Sequence, residues 1–157
     1  MNLTPAGLAL IKRWEHLELA AYQDIAGVWT IGWGHTRFTQ HGMLITEERA
    51  DELLRLDLAA TYAAVQNVVG LNTSDEQFSA MVSLAFNIGC ASSNFGFRAS
   101  TVLKAHRMGL FQQAADAFLL WDRAHVDGKL VVVSGLASRR RDERSLYLTE
   151  DGAGSVS

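Results

Sequence analysis

Apolar positions along this chain change their rhythm several times, and each change predicts an element. Leu8, Leu10, Ile11 and Trp14 recur at helical intervals and the stripe stops at Glu15, so a first helix with one inward face is expected there. Thr4 before Pro5 predicts its start, the hydroxyl accepting from a free N–H and the proline standing where no donor is needed. From Tyr22 to Phe38 the residues are β-formers broken by Gly27, Gly32 and Gly34, the pattern of a twisted hairpin whose backbone passes close to a ligand. Thr46 then caps a second helix with Glu47 and Glu48 in its first turn, where the dipole favours acids. Leu53, Leu54, Leu56, Leu58, Tyr62, Val65 and Val69 make that helix long and largely apolar.

Ser74-Asp75-Glu76-Gln77 has the form of a capping box. The helix it opens, through Phe78, Met81, Val82, Leu84, Ala85 and Phe86 to Gly89, is apolar all round and is expected at the centre of the core. Shorter helices are predicted over Ser100 to Arg107, Leu110 to Trp121 and Leu136 to Leu148. The fold class expected is α+β and predominantly α, a small β-hairpin subdomain joined by a long helix to a helical body. No internal repeat or linker divides residues 1–148, so they read as one domain with the hairpin subdomain at about 15–45. The tail, 149–157, has no apolar periodicity and is expected to be disordered.

At 157 residues, with 48% apolar and 20% charged residues, the chain can build a real core and lies far from the disordered range. Its one cysteine, Cys90, forms no internal disulfide; apolar neighbours predict a buried thiol, in keeping with a reducing cytoplasm. The net charge of −3 argues against nucleic acid or an anionic membrane as partner. Arg139, Arg140 and Arg141 are the local exception, but successive helical residues turn by about 100°, so three cannot share one face and at least one is expected to point inward. No segment approaches the roughly 20 apolar residues of a membrane span, and the N-terminus has neither a basic nor an apolar leader region. Self-directed export is therefore not expected.

The candidate chemistry lies between Glu15 and Thr36. Glu15 and Asp24 are separated by eight residues, and Asp24 and Thr30 by five. One acid closes a helix and the other opens a hairpin, so the two carboxyl groups meet a cleft from different surroundings. That is what glycosidic hydrolysis needs, one group protonated as acid and one ionised to activate water. Taken singly, Glu15 is an acid at a helix C-terminus, Asp24 a turn former and Thr30 a β-branched strand residue. His35 could be a base or a metal ligand, but no Cys, His or Asp stands around it at metal-ligand spacing; a histidine bonded to an acid, fastening the hairpin, is the reading preferred. His16, His41, His106 and His125 read as surface residues. Trp29, Trp33 and Trp121 could stack on sugars, though aromatics so placed are more often core.

Glu-x8-Asp-x5-Thr followed by I-G-W-G-H-T, from Glu15 to Thr36, resembles the signature of the phage-type lysozymes, the endolysins of glycoside hydrolase family 24. F-N-I-G at Phe86 to Gly89, F-R-A-S-T at Phe97 to Thr101 and G-L-x-x-R-R-R-x-E at Gly135 to Glu143 are similar to the same family, so the resemblance spans roughly residues 4–148. It implies a lysozyme-like fold and hydrolysis of the β-1,4 bond between N-acetylmuramic acid and N-acetylglucosamine in bacterial peptidoglycan, for host cell lysis. Glu15 would protonate the leaving oxygen while Asp24 and Thr30 hold the attacking water, with inversion and without metal or cofactor. Phe86 and Asn87 would contact substrate, Asp57 would pair with His35, and one or two of the three arginines, Arg140 among them, would stand behind Glu15. The implied protein is a monomer that stays in the host cytoplasm until a separate membrane-lesion protein releases it to the wall.

Two other readings remain. A lytic transglycosylase needs the acid but no water-holding pair, and Asp24 and Thr30 argue against it. A catalytically silent glycan-binding module is expected to have lost an acid, and none is lost. The departures from the family pattern are Trp33, where a tyrosine or smaller residue is common, and an insertion-like H-V-D-G-K-L at His125 to Leu130.

Overall fold

Thr4 Oγ1 accepts from the Gly7 N–H at 3.0 Å, and the helix it caps, α1, runs Pro5–Glu15. His16 ends it in the left-handed region, φ 56°, with its N–H donated to the Lys12 carbonyl. The computed structural model describes residues 1–90 and 94–150; the predicted disorder of the tail lies outside the described residues from Asp151 onward. Strands β1 (Glu18–Gln23) and β2 (Trp29–Gly32) follow, antiparallel, with an irregular register between the Glu18–Gly32 and Tyr22–Thr30 pairs. β1 starts earlier than the glycine-rich pattern indicates, because Glu18 to Ala21 are helix formers held in a strand by pairing. On its other edge Ala21 donates to the Met43 carbonyl, and Ile45 donates to that of Leu19, both at 2.9 Å.

Thr46 Oγ1 accepts from Arg49 N–H and caps α2, Glu47–Val69. Ser74 and Gln77 form the reciprocal capping box that opens α3, Asp75–Ile88, whose residues from Phe78 to Ala85 are all buried. A 3₁₀ turn, Phe97–Ala99, leads to α4 (Thr101–Arg107) and α5 (Phe111–Phe118). α5 is shorter than expected, since Leu119, Leu120 and Trp121 donate three residues back and tighten its end into a turn.

A second antiparallel hairpin, β3 (Arg123–Val126) and β4 (Lys129–Val132), occupies the segment read as an insertion. Its two-residue turn is Asp127-Gly128, with φ 50° and 77°, the mirror-image turn that Asp-Gly favours. α6, Ser134–Tyr147, completes the order.

The chain divides into two compact units, residues 11–60 and residues 1–10 with 61 onward. In the first, Ile11, Ile31, Ala50, Leu54 and Leu58 are buried. In the second, Phe78, Met81, Leu84, Phe97 and Phe118 are buried.

Two burial expectations change. His106 is buried rather than exposed, its Nδ1 2.6 Å from the Tyr147 hydroxyl and its Nε2 2.8 Å from Thr73 Oγ1. Isolated polar residues carry no periodicity, so burial by a tertiary partner was not visible. Cys90, expected buried, is half-buried at the end of α3.

Candidate active site

The I-G-W-G-H run is a tight reversal. Ile31 and His35 exchange two backbone hydrogen bonds, of 2.8 and 2.9 Å, around Gly32-Trp33-Gly34. Gly32 and Gly34 have φ of 65° and 88°, a region a side chain rarely adopts. Both are also close approaches. A Cβ at Gly32 would stand 3.3 Å from that of Ala50 on α2, and one at Gly34 would stand 3.4 Å from Glu15 Oε2. The carboxyl group of Glu15, half-buried at the last position of α1, therefore rests beside the backbone of Gly34.

Asp24 opens the β1–β2 turn and is exposed. Its Oδ1 accepts from the N–H groups of Ala26 and Val28, each at 2.9 Å, and its own N–H donates to the Val28 carbonyl. The turn thus fixes one carboxyl oxygen and leaves Oδ2 without a protein hydrogen bond among the described residues. Thr30, buried on β2 opposite Tyr22, donates its hydroxyl proton to the Val28 carbonyl at 3.0 Å. Its oxygen lone pairs are left as acceptors. Turn former and strand residue are accurate descriptions of Asp24 and Thr30, and both geometries also suit holding a water.

His35 lies with Nδ1 2.8 Å from Asp57 Oδ2 on α2 and Nε2 2.7 Å from the Arg37 carbonyl, so both ring nitrogens face acceptors. A second fastening, not foreseen from sequence, ties the same turn to both helices. Trp33 Nε1 donates to Asp51 Oδ1 at 2.8 Å, Lys12 Nζ donates to Asp51 Oδ2 at 2.8 Å, and the Lys12 ammonium lies 5.2 Å from the Trp33 ring centroid. The Lys12 bond first, then the indole bond, holds the Asp51 carboxyl below its ordinary range. Trp29 packs edge-on against His41, and Trp121 against Phe95.

In the other unit, Phe86 is half-buried and Asn87 exposed in the last turn of α3. Arg139 and Arg140 are buried on α6, and both bind Glu143, Arg140 Nε at 2.8 Å from Oε2 and Arg139 Nε at 3.1 Å from Oε1. Ser83 on α3 donates to Glu143 Oε1 at 2.7 Å. Burial pushes the Glu143 carboxyl up, against the pull of Arg140 and Arg139. Arg141 stays exposed and reaches Ser138. The inward-pointing arginines expected from the run thus have an acid on their own helix, at i+4 from Arg139 and i+3 from Arg140. Among the described residues no group of three or more His, Cys, Asp or Glu side chains is placed to hold a metal ion.

The phage lysozyme family matches residues 12–143, which include every one of these groups. The chain belongs to that family. An endolysin of Acyrthosiphon pisum secondary endosymbiont phage 1 is 40% identical over 147 residues, 94% of this chain and 98% of that relative. The endolysin from Escherichia coli O157:H7 phage FAHEc1 superposes with a TM-score of 0.87 at 39% identity, covering 94% of each chain. The muramidase domain of SpmX from Asticaccaulis excentricus also gives a TM-score of 0.87, at 40% identity, over 95% of this chain and 99% of that one. As a phage lysozyme the chain is a glycoside hydrolase with the expected α+β, lysozyme-like fold.

Proposed function

We propose that this phage lysozyme cuts the β-1,4 bond between N-acetylmuramic acid and N-acetylglucosamine in peptidoglycan, with Glu15 as general acid and Asp24 and Thr30 as the water-holding pair. The observation that carries the reading is the division of hydrogen bonds at the hairpin. Val28 takes the Thr30 proton and fixes Asp24 Oδ1, so an approaching water finds two acceptors, Thr30 Oγ1 and Asp24 Oδ2. Donating both protons to them aims its lone pair outward.

Glu15 gives its proton to the glycosidic oxygen as the C1–O bond breaks, and water adds to the opposite face of C1. One water proton passes to Asp24, and the other stays on the new hydroxyl. Asn87 can offer its amide to an acetamido group and Phe86 an apolar edge, which makes them the candidate substrate contacts. His35 and Asp57 hold the turn in register.

Among the described residues no helix is long and apolar enough to cross a membrane. The same reading has the protein act as a monomer, reaching the wall from the host cytoplasm after a separate protein opens the membrane. Digestion of purified peptidoglycan followed by mass analysis tests the chemistry. Ordinary reducing N-acetylmuramic acid ends are expected, one per cut, whereas 1,6-anhydro ends would mean transglycosylation and leave Asp24 and Thr30 without their role.

A further inference from the structure

Glu15 occupies the last position of α1, where helix ends fray, yet an acid catalyst must stay within hydrogen-bond reach of one oxygen. We propose that Lys12, Trp33 and Asp51 form a positioning device that holds the Glu15 carboxyl against the backbone of Gly34. The proposal rests on reading Glu15 as the general acid.

Three consecutive residues of the turn each have a separate anchor. Gly32 lies on Ala50, Trp33 reaches Asp51, and Gly34 flanks Glu15 Oε2. Trp33 carries the one side chain of the three, and the glycines on either side are the pivots about which the turn can swing. Its indole is therefore the handle of the turn, and Asp51 holds it at 2.8 Å.

The Lys12 ammonium lies 2.8 Å from both oxygens of Asp51. Lys12 stands three residues before Glu15, one turn back on the same side of α1. One carboxylate thus joins the helix that carries the acid to the turn that flanks it. The Lys12 ammonium near the Trp33 ring, 5.2 Å from its centroid, closes the triangle.

Charge-assisted bonds of this kind are about twice as strong as neutral ones. Asp51, held below its ordinary pKa, keeps its charge well into acid. Losing the handle would leave the α1 end and the Gly34 backbone free to separate, and a misplacement of about 1 Å can cost about 10² in rate.

The test uses the full chain acting on soluble glycan strands released from purified peptidoglycan. Trp33→Phe keeps an aromatic ring, though a smaller one, and removes the donor; Asp51→Ala removes both acceptors; Lys12→Arg keeps a cationic donor. Trp33→Phe and Asp51→Ala are expected to lower kcat about tenfold or more, with KM within about twofold, and to move the alkaline limb of the kcat pH profile. Lys12→Arg is expected to retain most of kcat. If Trp33→Phe does not fold, as read by its thermal transition, Asp51→Asn takes its place: it keeps an acceptor for the indole and loses the negative charge that pairs with Lys12, so a reduced kcat with a shifted limb is again expected.

Folded variants with wild-type kcat and pH profile, whatever their Tm, overturn the device. Glu15→Gln is run alongside. Strong residual activity there removes the acid itself and the device with it, whereas an inactive Glu15→Gln beside a wild-type Trp33→Phe overturns the positioning claim alone.

Discussion

Thr30 matters through the hydrogen-bonding capacity it has left over. Because its proton goes to the Val28 carbonyl, the hydroxyl is proposed to serve the water as an acceptor. Thr30→Val should therefore slow wall clearing about 10²-fold, while Thr30→Ser should keep most of the rate. Glu15→Gln should keep the fold and lose about 10²- to 10⁴-fold, the usual contribution of general acid catalysis; clearing above about a tenth of wild type would falsify its assignment. All three variants are read by turbidity of purified walls with circular dichroism as the control for folding.

His106 governs a different property at the same scale. Burial lowers its pKa from 6.5 to about 4. The unfolded chain takes up a proton near pH 6.5 while the folded chain refuses it until about 4, so folding is most favoured above that window and weakens as pH falls through it. The difference is on the order of 3 kcal/mol. Urea unfolding at pH 7 and 4.5 should show it, and His106→Gln should flatten that dependence; an unchanged slope would assign the acid sensitivity elsewhere.

Among the elements, α6 depends on an acid that its own sequence hides. Glu143 is fully buried with Arg139, Arg140 and the Ser83 hydroxyl around it. Glu143→Ala removes the carboxylate that both buried guanidinium groups bind and should cost about 3–5 kcal/mol in denaturant unfolding. A loss under about 1 kcal/mol would mean that the arginines find water or another acceptor.

The run Arg139 to Arg141 told that something must point inward, but not towards what, because helical geometry fixes angles and not neighbours. Caps were legible for the opposite reason. Thr4, Thr46 and the Ser74–Gln77 box bond within three residues, so local sequence determines them. The β3–β4 hairpin stood between these cases. Both strands are largely exposed, so no alternation of burial marks them, and Asp127-Gly128 was the available signal.

For the whole molecule, the motif from Glu15 to Thr36 was readable because its glycines, acid and threonine are held by bonds inside one compact unit, residues 11–60. Asp51 was not, since nothing in α2 sets it apart from other helical acids until Trp33 and Lys12 are seen to meet on it. The family and fold follow from the full-length similarity.

Asp24 and Thr30 are proposed to hold a water, so that no covalent sugar forms on the protein. Direct attack demands carboxyl groups about 6.5–9.5 Å apart and an inverted product, whereas an Asp24 nucleophile demands about 5–5.5 Å and retention. Proton NMR of the first-formed reducing end, recorded before mutarotation, distinguishes them. The α-anomer appearing first is the result predicted; the β-anomer first would make Asp24 the nucleophile and take from Thr30 the water it is proposed to hold.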